Sequence, residues 1–153
     1  MHTLEERTLW DSGIAMFSWE SLHSIPVGGV ATHVTELAAA LQRAGNEVHV
    51  FTRIGNGQKE YEVIEKVHYH RCHFESNHDF VVEVSNMCHS FAYHFSKTEN
   101  LSGCFDIIHG HDWLTANALV EVRNAKSTKT IFTLHSTEYG RCGMCFKRGN
   151  RKR

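Results

Sequence analysis

No stretch of this 153-residue chain approaches the roughly 18–20 consecutive apolar residues of a membrane helix, so a helical span is excluded. The opening residues, MHTLEERTLWD, lack an apolar core and carry adjacent acids at Glu5 and Glu6, so they do not read as a secretory signal. A disulfide framework is missing as well. The five cysteines are odd in number and irregularly spaced, which points to reduced thiols and a cytoplasmic protein. Strong net charge is also absent: 16 Lys+Arg stand against 17 Asp+Glu, for a net charge of −1. The balance is uneven along the chain. Residues 1–140 hold 10 basic and 17 acidic side chains, whereas 141–153 hold six basic and no acidic ones. The body is acidic and only Phe146 interleaves the basic tail, so a solvated chain end is favoured over a nucleic-acid-binding one.

The apolar fraction of 41% and charged fraction of 22% suit one globular domain with a proper core. Its most informative stretch is Ile14 to Thr52. The run Ile14, Ala15, Met16, Phe17 is short and continuous, as in a strand buried on both faces of a parallel sheet. After Gly28-Gly29, the residues Val30, Val34, Leu37, Leu41 and Ala44 recur at three- and four-residue steps and predict a helix from Val30 to Ala44. Gly45-Asn46 stops it, and EVHVFT supplies the next strand. The unit is β-α-β, with its glycine pair at a helix N-terminus, where free N–H groups and the helix dipole favour an anion.

Tyr61–Phe74 alternates in two pieces and suggests a hairpin turning at Glu65-Lys66. Asn77 to Lys97 predicts a second helix with Phe80, Val84, Met87, Phe91 and Phe95 on one face, Ser76 or Asn77 as its cap, and core packing as its purpose. Phe105–His109 reads as a buried strand, Gly110-His111-Asp112 as a loop, and Trp113 to about Asn124 as a helix capped by Asp112. Thr130–Leu134 is a last strand, followed by His135-Ser136-Thr137-Glu138-Tyr139-Gly140. The order β-α-β-(β-β)-α-β-α-β argues for a doubly wound α/β sheet. In such a sheet three polar loops share one rim, His23–Gly29, His109–Trp113 and His135–Gly140, and together they have the make-up of a binding cleft.

The segments VGGVATHVTELAAALQRAGNEVHVFT, DIIHGHDWLTANAL and TIFTLHSTEYGR resemble, in this order, the N-terminal half of a GT-B glycosyltransferase of the glycogen/starch synthase-like group, families 4 and 5. The resemblance runs from Ile14 to Arg141 and implies a partial Rossmann-like N-terminal domain over 13–141, between a leader (1–12) and a basic tail (142–153). It implies a retaining, usually metal-independent transfer of sugar from a nucleoside diphosphate sugar, such as UDP- or ADP-glucose, to a glycan acceptor. No cofactor is implied beyond that donor. Carried over by position, His111 and Asp112 are the catalytic candidates, with His111 contacting the transferred sugar. Gly28 and Gly29 face the donor diphosphate, and His135 and Ser136 lie at the cleft floor.

In that family a second domain carries the Arg/Lys pair that neutralises the leaving diphosphate, and the E-x7-E carboxylates. Charge developing without a metal has to be met by such groups. No segment of these 153 residues matches them, so the chain is expected to be inactive alone, or completed by a C-terminal domain in trans. Two alternatives stand beside the enzyme. One is a non-catalytic half-domain that binds nucleotide sugar or glycan. The other is a metal module built from His68, His70, His73 and Cys72, or from Cys142 and Cys145. A second C-x-x-C is lacking, and His68 and His70 fall on one face of a strand read as exposed.

Overall fold

The fold is that of a computed structural model describing residues 12–136. The leader over 1–11, the residues from Thr137 onward, the basic tail and the Cys142/Cys145 pair lie outside the described residues.

Six strands form one sheet: β1 (Gly13–Ser18), β2 (Glu47–Arg53), β3 (Tyr61–Ile64), β4 (Val67–Cys72), β5 (Ile107–His111) and β6 (Lys129–Thr133). Their spatial order is β3-β4-β2-β1-β5-β6, and every pairing is parallel except β3 with β4. The helices are α1 (Gly29–Arg43), α2 (Phe80–Ser102) and α3 (Ala116–Ala125). This is the doubly wound α/β sheet expected. β1 is buried throughout its length, which explains its continuous apolar run.

Alternation along the strands divides the core in two. Ile14, Met16, Val48, Val50, Val67 and Tyr69 face α1. Ala15, Phe17, Phe51 and Cys72 face α2 and α3. The chain winds from β1 through α1 to β2 on one face, then through α2 to β5 on the other side of β1. Right-handed crossovers require that change of face when the direction of winding reverses. The reversal between β1 and β5 opens a crevice at their C-terminal ends.

Several details differ from the sequence reading. The buried face of α1 is centred on Ala31, Val34 and Ala38, with Val30, Leu37 and Leu41 only half-buried at its flanks. Small residues let the helix sit close to the sheet, so the bulkier ones straddle the contact. Ala44 is exposed and caps the helix, with Gly45 beyond it at φ 94°. In α2 the residues Val84, Met87, Cys88, Phe91 and Phe95 are core, each such side chain contributing about 1.5–3 kcal/mol. Phe80 and Val81 are exposed. The cap of α2 is Asp79, whose carboxylate accepts from the N–H groups of Val81 and Val82, rather than Ser76 or Asn77. The hairpin turns at Glu65-Lys66 as expected, with φ of 49° and 65°, the paired positive angles of a two-residue turn that follows strand twist.

The largest difference lies at β5. It begins at Ile107 and runs to His111, so His111 is a strand residue rather than a loop residue. Parallel pairing with Ser18 of β1 and Thr133 of β6 carries the ladder that far. Gly110 permits the close approach of α3. A Cβ there would stand 2.4 Å from Leu119 Cδ1 and 3.0 Å from Thr115 Oγ1.

Candidate active site

The crevice at the C-terminal ends of β1 and β5 gathers all six residues singled out by the sequence. Gly28 and Gly29 enter α1 from an exposed loop. His111 ends β5, Asp112 follows it, and His135 and Ser136 leave β6. His111 Nδ1 lies 3.3 Å from His135 Nε2. Ser136 donates its N–H to Asp112 Oδ1 (3.3 Å) and its hydroxyl to Asp112 Oδ2 (3.4 Å). The loops after β5 and β6 are thereby tied into one surface.

His111 is fully buried, and its Nε2 has no hydrogen-bond partner among the described residues. Burial, followed by the neighbouring His109, His135 and His33, pushes its pKa down to about 3. The ring is therefore neutral near pH 7, with one nitrogen facing His135 and the other unspent. Burial and His33 likewise lower His135, while Asp112 opposes the shift. His109 packs against His111 at 4.0 Å between ring centroids and sits 2.8 Å from Thr133 Oγ1, which fixes the edge of the imidazole layer.

Asp112 does not cap the helix as expected. Its side chain makes no capping bond, and a short 3₁₀ turn (Trp113–Thr115) intervenes before α3. Its backbone sits at φ 64°, a conformation that costs a non-glycine residue about 1–3 kcal/mol and tends to occur at functional sites. Three contacts hold it there. Its N–H donates to Thr133 O (2.8 Å), its carboxylate accepts from Ser136, and Thr115 Oγ1 donates to the carbonyls of His111 (3.2 Å) and Asp112 (3.1 Å).

The glycine loop has a partner that sequence reasoning missed. Glu20, itself buried, accepts from the N–H groups of Val27 (2.7 Å) and Gly28 (2.5 Å). A carboxylate of the protein's own thus fills part of the anion-binding end of α1 and holds the loop in shape. Neither glycine is demanded by packing. A Cβ on Gly28 would meet only Glu20 Oε1 at 3.8 Å, and one on Gly29 would meet nothing within 4 Å.

His33 was missed too. It stands four residues into α1 on an exposed position, with its ring 4.8 Å from that of His135 and 5.6 Å from that of His111. Its place in the helical repeat gave no signal, because only β5 and β6 bring it neighbours. One nitrogen from each of His33, His111 and His135 falls within 4.8 Å of the others. Arg53, at the C-terminal end of β2, lies 3.4 Å over the Trp19 ring and donates to Trp19 O (2.6 Å). Burial lowers its pKa to about 10, against the opposing pull of Glu20 and Glu83, so it stays cationic. Trp19, Phe80 and Trp113 pack edge to face at 5.8 and 6.2 Å and form an aromatic wall beside the crevice.

The model of the family described as Glycosyltransferase Family 4 matches residues 27–153. The chain belongs to that family. It is similar to an uncharacterized glycosyltransferase of Methanocaldococcus jannaschii, 36% identical over 132 residues that make up 85% of this chain and 32% of the relative. It is also similar to the glycogen synthase of Mycobacterium tuberculosis, 29% identical over 143 residues, 84% of this chain and 34% of that protein. The chain thus spans about a third of the length of the curated relatives it matches. The fold is similar to that of part of sucrose-phosphate synthase from Thermosynechococcus elongatus, with a TM-score of 0.72 at 20% identity over 92% of this chain and 37% of that one. The catalytic domain of starch synthase IV from Arabidopsis thaliana, solved with ADP and acarbose, superposes with a TM-score of 0.60 at 18% identity, covering 82% of this chain and 34% of that one. The family-4 chain is therefore similar to the N-terminal part of glycogen/starch synthase-like GT-B proteins and has a Rossmann-like sheet. Among its described residues no helix is long and apolar enough to cross a membrane.

Proposed function

We propose that this chain forms the acceptor-side wall of a retaining hexosyltransferase that moves sugar from a nucleoside diphosphate sugar, UDP- or ADP-glucose in type, onto a glycan. The observation that carries the reading is the unspent Nε2 of buried, neutral His111, set beside a glycine loop whose glycines the fold itself does not need. A neutral imidazole can exchange a hydrogen bond with a sugar hydroxyl without placing a charge next to the reacting carbon. Space kept free above Gly29 suits a diphosphate approaching the backbone at the start of α1.

Within this reading His111 is the catalytic residue of the half-site, His135 and Ser136 hold substrate hydroxyls, and Asp112 positions the loop through Ser136. The aromatic wall of Trp19, Phe80 and Trp113 offers apolar rings to the faces of acceptor sugars. The leaving diphosphate needs fixed positive charge, which a second GT-B domain would bring. The 153 residues by themselves are accordingly expected to bind rather than to transfer.

The test joins this chain to a family-4 C-terminal domain, fused or supplied in trans, and follows sugar release from UDP- and ADP-glucose. Gly29→Val is expected to leave the unfolding midpoint unchanged while cutting kcat/KM at least about a hundredfold, the scale of losing a main transition-state contact. His111→Asn is expected to lower kcat more than it raises KM. Wild-type turnover in both variants would sink the assignment. Turnover by residues 1–153 alone would overturn the two-domain requirement.

A further inference from the structure

A second group of histidines lies at the opposite end of the sheet and on its other face, where no part of the proposed transfer uses it. Parallel register sets His49 of β2 beside His68 of β4, and period-2 alternation puts Glu47, His49, His68 and His70 on the side of α2. The rings stack. His49 and His68 are 4.3 Å apart with planes 3° from parallel, and His49 and His70 are 5.1 Å apart at 14°. The expectation that His68 and His70 face open water therefore fails, because His49 packs against both. The grouping anticipated from the sequence also changes. His73 turns out to Glu60 (3.3 Å), and Cys72 is buried in the core, where burial pushes its thiol pKa up.

One ligating atom from each of Glu47, His49 and His68 falls within 4.8 Å of the others. Glu47 Oε1 is 3.0 Å from His49 Nε2. Two ligands on one edge of a tetrahedral zinc site stand about 3.3 Å apart, given bonds of about 2.0–2.1 Å, so that edge is nearly in place. The remaining nitrogens are already engaged. His49 Nδ1 lies 2.8 Å from His70 Nε2, and His68 Nδ1 lies 2.7 Å from the Tyr61 hydroxyl. Metal-bound imidazoles characteristically donate their other N–H to such a partner, which fixes tautomer and ring orientation. Beside the group is a cavity of about 320 Å³, bordered by His94 and Lys97 of α2, which leaves room for a further ligand.

We propose that Glu47, His49 and His68 form a binding site for one divalent ion of the zinc class, with His70 and Tyr61 orienting the two imidazoles. Two nitrogens and one carboxylate suit a borderline transition-metal ion better than magnesium or calcium, which prefer oxygen. His49 is the fixed ligand, only 3% exposed, while Glu47 and half-buried His68 reach in from the side of solvent and can close the remaining distance. The ion would bridge strands β2 and β4, bracing the side of the sheet away from the crevice.

The experiment is equilibrium dialysis of residues 1–153 against zinc with a competing chelator, repeated with cobalt(II) for its tetrahedral absorption. The background carries His33→Asn, His135→Asn, Cys142→Ser and Cys145→Ser, so that neither the crevice histidines nor the C-x-x-C can hold the metal. One retained equivalent is expected. Glu47→Gln and His68→Gln, both at accessible positions that spare the core, are each expected to weaken it more than tenfold. Tyr61→Phe is expected to weaken it about tenfold, as removal of a supporting contact does elsewhere. Loss of the equivalent in the background protein would overturn the proposal. So would full retention in folded Glu47→Gln and His68→Gln.

Discussion

The two histidine clusters are built from the same residue type on the same sheet, yet by different means. His33, His111 and His135 come from a helix and the ends of two strands, and they meet where the winding direction reverses. Glu47, His49, His68 and His70 come from adjacent strands, and they meet because parallel register and a two-residue period leave them nowhere else to go. The first cluster has a nitrogen on His111 without a partner among the described residues and strained backbone at Asp112; the second has its imidazoles paired with one another, with Glu47 and with Tyr61. A crevice at a switch point collects groups that the fold does not use. A ladder between neighbouring strands collects groups that satisfy each other.

The strongest way to break this contrast is to remove what the clusters share. Phe91 of α2 packs on Phe17 of β1 at 6.0 Å between centroids, in the core beneath both β1 and β2. Phe91→Ala is expected to cost about 3–5 kcal/mol and to release both ends of the sheet in one transition. Urea unfolding followed by hydrogen exchange at His49 and His111 would show it. Separate transitions at the two ends would mean that the sheet is not a single cooperative unit.

A smaller change should act on one side. Gly110→Ala places a methyl against Leu119 and Thr115, and overpacking of that kind costs about 1–3 kcal/mol. Its effect is expected to concentrate at β5 and α3, with amide exchange quickened around His111 and unaltered around His68. Equal loosening at both places would contradict the local origin argued from the Leu119 contact.

The gentlest test uses pH. His111 has its pKa lowered to about 3 in the fold, against 6.5 for a free histidine. Below 6.5 the unfolded chain therefore binds a proton that the native one refuses, so the contribution of His111 to stability is full above 6.5 and is lost as pH falls toward 3. His111→Gln is expected to leave stability near pH 7.5 within about 1 kcal/mol of wild type and to flatten its decline between pH 6 and 4. An unchanged slope would mean that the ring is protonated in the native state.

Much of this was legible in the chain itself. Short apolar runs and apolar periods of two and of three to four residues located every described strand and all three α-helices, and Gly45 marked the end of α1 at φ 94°, although α2 runs on to Ser102, past the predicted Lys97. The rim carrying Gly28, Gly29, His111, Asp112, His135 and Ser136 followed from the order of elements, since an alternating β-α pattern puts those loops at one edge. What escaped were contacts between elements. Glu20 gave no sign that it would turn back on the amides of Val27 and Gly28. His33 looked like any exposed helical residue. The His68-His70-Cys72-His73 cluster in sequence dissolved, because Cys72, on the same face as His68 and His70, is buried in the core against α2, and His73 lies past the strand end with Glu60.

Local chemistry, read along the chain, determined which segments became strand or helix and which edge of the sheet would carry the polar loops. Hydrophobic burial and backbone geometry act over spans of a few residues, so a linear reading suffices for them. Only the tertiary structure decided which histidines met, which carboxylate closed the glycine loop, and which imidazole nitrogen was left unspent. Those outcomes depend on strand order and register, and these are settled by contacts between residues far apart in the chain.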